Sequence, residues 1–291
     1  MPQFGVLISK SMPAMEQILP VGLSLAAVSA WGTSDFLGGY ASRRASAFPL
    51  TTIAHGCGML LMTSIALLAR SPFPSAHTVE WGLLGGLAGG AALAIFYRAL
   101  ASGKMGVTAP VAAVLGAGIP TALTILKEGL PGDARLIGFV LAAIGIWLIS
   151  RSKDGTRPEG IGLALLAGVG FAGFFLCMKQ AGNGSALWIA VCSRVASFLF
   201  TGLIVLKTGD FVRMDRLAVR LGVLAGFLDI SGSVLFVRAA QLGRLDTAVV
   251  LTSLYPVITV LLARLFLKEK LTGWKTVGMF AALAAVPLIA A

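Results

Sequence analysis

Apolar residues dominate this chain in ten long runs, which short polar or proline- and glycine-containing breaks separate. Most runs hold about 20 residues, the length that an α-helix needs to cross a hydrocarbon core about 30 Å thick. Runs of this length contradict the alternating strands of about ten residues that build a membrane β-barrel, so the pattern predicts helices. The expected membrane spans are 18–40, 47–69, 80–101, 107–126, 134–150, 160–179, 186–206, 218–241, 246–266 and 273–290.

The order of motifs repeats once along the chain. The tetrapeptide Phe-Tyr-Arg-Ala at 96–99 returns as Phe-Val-Arg-Ala at 236–239, and Leu-Lys-Glu at 126–128 returns at 267–269. Each copy holds five predicted spans, an odd number, so the second copy must cross the membrane in the opposite sense to the first. Inverted repeats of this kind build many secondary transporters around a site near the bilayer midplane.

The most polar run of the chain, residues 151–159, divides the two copies. We therefore expect a first five-helix repeat at 18–150 and a second at 157–290. The composition fits a membrane protein, because 57% of the 291 residues are apolar and 12% are charged, whereas soluble domains carry roughly 25% charged residues. The predicted fold is all-α and integral to the membrane, with ten transmembrane helices arranged as two inverted five-helix repeats around a central cavity.

The formal net charge is +11, but the basic residues fall mostly at the ends of the apolar runs. A nucleic-acid partner would need a basic patch or stripe, so none is predicted, and the expected surroundings are a lipid bilayer. The predicted loops place seven lysines and arginines on the side that holds the termini and fifteen on the other side. The positive-inside rule then puts both termini outside the cytoplasm.

Prolines stand inside two predicted spans that correspond in the two copies. Pro110 and Pro120 lie in the fourth span, and Pro256 lies in the ninth. Each proline removes a hydrogen bond from the helix, and paired interruptions in corresponding spans point to a midplane binding site. A simple packing kink is the alternative interpretation.

Four ionisable residues lie deep inside predicted spans, where charges require a partner or a wet cavity. Arg194 and Asp229 are almost equally far from the turn near residue 212, so an ion pair between them is geometrically feasible. Asp35 and His55 lie within about one helical turn of each other in depth. The first pair suits a fixed brace, because arginine stays charged. The second is the candidate for proton coupling, with a structural hydrogen bond of His55 as the alternative.

Aromatic and hydroxyl side chains near these charges are candidates for lining a substrate cavity. Trp31 precedes Asp35 by four residues, which places both on one face of the first helix. Simple packing is the alternative for each candidate, since aromatic residues inside membranes commonly pack. The candidates are Trp31, its repeat counterpart Phe171, Tyr97, Thr252, Ser253 and Tyr255.

The chain resembles the EamA-type exporters of the drug/metabolite transporter superfamily. The features that carry the resemblance are the two five-helix halves, Trp31-Gly32 in the first span, Arg194 in the seventh and the twin Leu-Lys-Glu-x-Leu-x-Gly motifs. The resemblance covers about residues 18–290. It implies alternating access around a cavity lined mainly by spans 1, 3, 4, 6, 8 and 9, and export of amino acids, other metabolites or drugs across the plasma (inner) membrane. Family members typically carry an arginine where His55 stands. They are drawn with cytoplasmic termini, whereas the lysines and arginines of the predicted loops place the termini of this chain outside the cytoplasm.

The leading hypothesis is a secondary exporter of a small, zwitterionic or neutral solute, in which protons couple at Asp35. No G-x-x-x-x-G-K-[ST] motif is present, so ATP hydrolysis is not predicted. No cofactor is predicted either. One alternative is a passive facilitator whose buried charges only brace the helices. Another is an intramembrane enzyme that uses His55 or His77, although no nucleophile–base spacing supports it. The glycine-rich third span allows a monomer or a homodimer.

Overall fold

The computed structural model is all-α over the residues that it describes, which are 3–128, 133–150, 159–182, 185–210, 214–242, 251–252 and 254–290. Ten helices are bounded within these ranges: α1 Gln3–Ala41, α2 Ala47–Leu68, α3 Ala76–Ser102, α4 Met105–Glu128, α5 Asp133–Ser150, α6 Ile161–Gln180, α7 Ala186–Thr208, α8 Arg216–Leu242, α9 Tyr255–Phe266 and α10 Gly273–Ala290.

The prolines affect the fourth and ninth spans differently. The interruption predicted in the fourth span is wrong, because α4 continues through both Pro110 and Pro120. A proline deletes one hydrogen bond of the helical ladder, and neighbouring helices in a membrane bundle can compensate for that loss. Pro256 instead stands in the first turn of α9, where its missing N–H has no intrahelical partner to lose. The structure therefore lacks the paired interruption that the sequence suggested.

The helices have the length and composition of a membrane protein. Within the described ranges, five helices are long and apolar enough to cross a bilayer, namely α2, α3, α6, α7 and α8. Shorter apolar stretches occur in α4, α5, α9 and α10. The first helix begins at Gln3, well before the predicted start at residue 18. Leucines on the outside of the bundle are exposed, as Leu68 (85%) and Leu206 (81%) illustrate, which suits contact with lipid.

The strongest helix contacts join the first five helices to the last five. Helix α1 packs on α8, and α3 packs on α6 and α7. Helix α2 packs on α7 and α8, α4 packs on α6, α1 packs on α9, and α5 packs on α10. The two halves therefore interdigitate and do not fold as separate bundles.

The glycines of α3 form the closest of these contacts. A Cβ at Gly86 would overlap the carbonyl oxygen of Ser193 in α7, and one at Gly82 would lie 2.9 Å from Cβ of Cys192. On the neighbouring face, Gly89 lies against Phe174 of α6. The small residues that the sequence spaces four apart thus let α3 approach α6 and α7 within one chain.

Gly86→Ala should therefore lower the melting temperature of the protein in detergent, with a loss of about 1–3 kcal/mol from overpacking. The added methyl group meets backbone, which cannot rotate away. Gly162→Ala in α6 is the matched control, because nothing lies within 4 Å of its Cβ position. The control should keep or raise the melting temperature, since alanine favours helix by about 1 kcal/mol. Equal melting temperatures for the two variants would contradict this packing.

Candidate functional site

An ion pair joins α7 to α8 in the centre of the bundle. Arg194 Nη2 lies 2.6 Å from Asp229 Oδ2, and the two side chains are 15% and 19% exposed. The arginine stem passes over Gly58 of α2, where an added Cβ would lie 3.7 Å from its Cδ atom. The structure thus contains the pair that equal depth in the seventh and eighth spans suggested.

His55 joins this pair and does not join Asp35, so the predicted Asp35–His55 pair is wrong. Its Nε2 atom lies 3.1 Å from Arg194 Nη1, and its Nδ1 atom contacts the hydroxyl group of Ser197. A guanidinium group only donates, so Nε2 accepts and Nδ1 carries the hydrogen that it donates to Ser197. The imidazole is therefore neutral and held at both nitrogens. Equal depth did not fix the direction of His55, because α2 packs on α7 and α8.

Asp35 is the buried acid without a partner. It is only 9% exposed, and its carboxyl group makes no hydrogen bond or ion pair within the described ranges. Helix α1 is fixed to α8 in the turn that precedes it, because the Trp31 indole donates to the Asp229 carbonyl oxygen at 3.0 Å and Ser34 donates to that of Ala225 at 2.8 Å.

Aromatic side chains pack on the part of α1 that holds this acid. The Trp31 ring lies 5.7 Å from that of Phe236 and 6.3 Å from that of Tyr255, measured between centroids. Tyr97 from α3 packs against Gly38, one turn beyond Asp35, and is fully buried. Its hydroxyl group has no hydrogen-bond partner in the part of the chain that the structure describes. The fold thus brings Tyr97 and Tyr255 to the part of α1 that holds Trp31 and Asp35.

The other candidates lie elsewhere in the fold or outside the described residues. Phe171 packs edge to face on Phe96, with 5.5 Å between ring centroids, and contributes to the apolar core between α3, α4 and α6. Thr252 is buried at 4% exposure, and Ser253 lies outside the described residues. Ser197 was missed, although it stands three residues after Arg194 and so shares its helix face. Within the described residues, no three His, Cys, Asp or Glu side chains converge on a metal site.

Residues 158–291 match the sequence profile of the EamA-like transporter family. The chain belongs to this family. It is thus a membrane transporter of small solutes. An uncharacterized protein of Methanocaldococcus jannaschii is 31% identical over 121 residues, which are 41% of this EamA-like chain and 85% of that protein. A protein of known crystal structure, 14% identical, has a TM-score of 0.63 over 93% of this chain and 96% of its own, so the two share a fold.

Proposed function

We propose that this EamA-like transporter is a proton-coupled secondary exporter of a small solute across the plasma membrane, working by alternating access. All ten helices span the bilayer as two inverted repeats, 18–150 and 157–290, around the site at Asp35. The single observation that carries the proposal is this buried carboxyl group, which has no ionic or hydrogen-bonding partner within the described residues.

The helix contacts support the inverted repeat. Exchanging α1–α5 with α6–α10 converts the contact of α1 with α8 into that of α6 with α3, and the contact of α4 with α6 into that of α9 with α1. The pairs α2 with α7 and α5 with α10 convert into themselves. A pseudo-two-fold axis between the halves would produce this exchange, and alternating access uses such an axis. The family match, which begins at residue 158, fits the same division.

The charge balance of the centre explains how a proton can control transport. Arg194 and Asp229 cancel each other, and His55 is neutral, so the protonation of Asp35 decides the net charge of the group. An uncompensated charge at the centre of a membrane helix costs roughly 2.5–3.5 kcal/mol. The transporter therefore changes its access state readily only when a proton or a group of the solute neutralises Asp35.

The surroundings of Asp35 suit a small solute with both apolar and polar groups. Trp31 and Tyr255 supply aromatic faces, and the Tyr97 hydroxyl supplies a hydrogen-bonding group that no described protein atom uses. A zwitterionic or neutral solute fits this arrangement, because one acid in an otherwise balanced site repels polyanions. Thr252 and Ser253 remain candidates for further hydroxyl contacts.

The proposal is tested by finding the solute and measuring its flux. A sensitive bacterial host that expresses the protein is screened for resistance to amino acids, their analogues and drugs, and each hit is tested in proteoliposomes. We expect an imposed pH gradient to drive accumulation of the solute against its own gradient. Flux that stops at equal concentrations, whatever the pH gradient, would overturn the coupling and favour a passive facilitator.

A further inference from the structure

The loop between α9 and α10 reaches across to the first half of the chain at one end of the bundle. The Glu269 carboxylate accepts hydrogen bonds from the backbone N–H groups of Met105 at 3.0 Å and Gly106 at 3.2 Å. Arg43, from the loop between α1 and α2, lies 3.3 Å from the same carboxylate. The Glu269 side chain is only 7% exposed, so this is a buried link between the halves.

The contact completes the N-terminus of α4. The first N–H groups of a helix have no acceptor within it. At the start of α4, the carbonyl oxygen of Lys104 accepts hydrogen bonds from the N–H groups of Val107 and Thr108. The Glu269 carboxylate accepts those of the two preceding residues, Met105 and Gly106. A carboxylate is favoured there by both the hydrogen bonds and the helix dipole. Helix α4 is therefore capped by a residue 164 positions away, from the other half of the protein.

The sequence repeats two parts of this contact. Glu269 corresponds to Glu128, and the Gly-Lys pair at 103–104 corresponds to Gly-Arg at 243–244. The Glu128 side chain and residues 243–250 lie outside the described residues.

We propose that Glu269 is the latch that closes the bundle at its own end. The latch is engaged in one of the two access states, and this inference rests on the alternating access proposed above. A contact that exists in one state only shifts the equilibrium between the states by its own free energy. Removing the latch should therefore favour opening at that end.

The same end of the bundle offers a matched control. Arg44 pairs with Asp215 across the halves at 3.9 Å, but the two side chains are 46% and 50% exposed. Exposed pairs contribute little to stability, whereas a hydrogen bond from a charged group to a buried partner contributes more. Arg43→Gln should hence shift the equilibrium, and Arg44→Gln should not.

The test uses a cysteine at Ser34→Cys, next to Asp35, as a reporter of access. The native cysteines are replaced by serine at Cys57, Cys177 and Cys192. The probe is a membrane-impermeant maleimide, applied to right-side-out and to inside-out membrane vesicles. In Glu269→Ala we expect the labelling rate from the Glu269 end to rise about tenfold and the rate from the other end to fall. A tenfold shift corresponds to the free energy of one lost charge-assisted hydrogen bond. Glu269→Gln, which keeps an acceptor oxygen, should give labelling rates between those of the parent and of Glu269→Ala.

Unchanged labelling in Glu269→Ala, or an equal rise from both ends, would overturn the latch. If Glu269→Ala does not fold, the comparison of Arg43→Gln with Arg44→Gln decides, and equal labelling in these two would overturn the latch as well. Access from both ends in the parent, without any shift in the variants, would leave alternating access intact. Labelling from one end only in every protein would overturn alternating access and the latch together.

Discussion

Asp229→Asn should destabilise the transporter by about 3 kcal/mol, because it leaves the Arg194 guanidinium buried without its counter-charge. The same substitution at Asp35 should keep or raise stability, since Asp35 has no partner to lose among the described residues. Neutralising a functional group that opposes folding commonly stabilises a protein. Thermal denaturation in one detergent, followed by intrinsic tryptophan fluorescence, compares the two variants directly.

A double variant separates the ion pair from general damage to the core. In Arg194→Met/Asp229→Leu both charges are gone, so much of the lost stability should return. The single variant Arg194→Met should be as unstable as Asp229→Asn. Additive losses in the double variant, or equal losses from Asp35→Asn and Asp229→Asn, would contradict the assignment of Arg194 and Asp229 as a brace.

Asp35→Asn should abolish accumulation of solute under a pH gradient while it preserves exchange of solute at equal pH. The asparagine side chain mimics a carboxyl group that never loses its proton, so the site stays neutral and the access states can still interchange. The loss in the gradient-driven rate should be at least about a hundredfold, the usual scale for removing an essential proton-transfer group. Both activities are measured with the solute that the resistance screen identifies.

Two substitutions serve as controls for this result. His55→Gln removes a neighbouring ring that the structure assigns to the brace. It should reduce stability but leave the dependence of solute accumulation on the pH gradient unchanged. Ser34→Ala removes a hydrogen bond next to Asp35 and should have the same limited effect. Full accumulation by Asp35→Asn, or loss of pH dependence in His55→Gln, would show that the coupling proton binds elsewhere.

The sequence was sufficient for the ion pair but not for the direction of His55. Arg194 and Asp229 flank a short turn, so their depth and their adjacency in one hairpin both follow from residue spacing. For Asp35 and His55 the depth was also matched, yet α1 turns toward α8 and α2 toward α7. Which face of a helix meets which neighbour depends on the packing of the whole bundle, and no local pattern contains it.

The prolines and the repeated motif show the same limit of local sequence patterns. Pro110 and Pro120 mark lost hydrogen bonds, but whether a helix bends or continues depends on the elements around it. The motif around Glu269 was recognisable as a repeat, but its contact with the N-terminus of α4 spans 164 residues. The Tyr97 hydroxyl group, which has no hydrogen-bond partner among the described residues, was equally hidden, since a sequence gives a polar atom without showing its partners.

The most direct test of the coupling at Asp35 is the proton movement that accompanies each transported solute molecule. Proteoliposomes with a pH-sensitive dye in the lumen report protons, while a labelled solute reports its own flux. In the unmodified transporter we expect solute flux to move protons in the opposite direction, and in Asp35→Asn we expect solute exchange without any proton movement. Protons that still move with the solute in Asp35→Asn would contradict the role of Asp35 as the coupling acid.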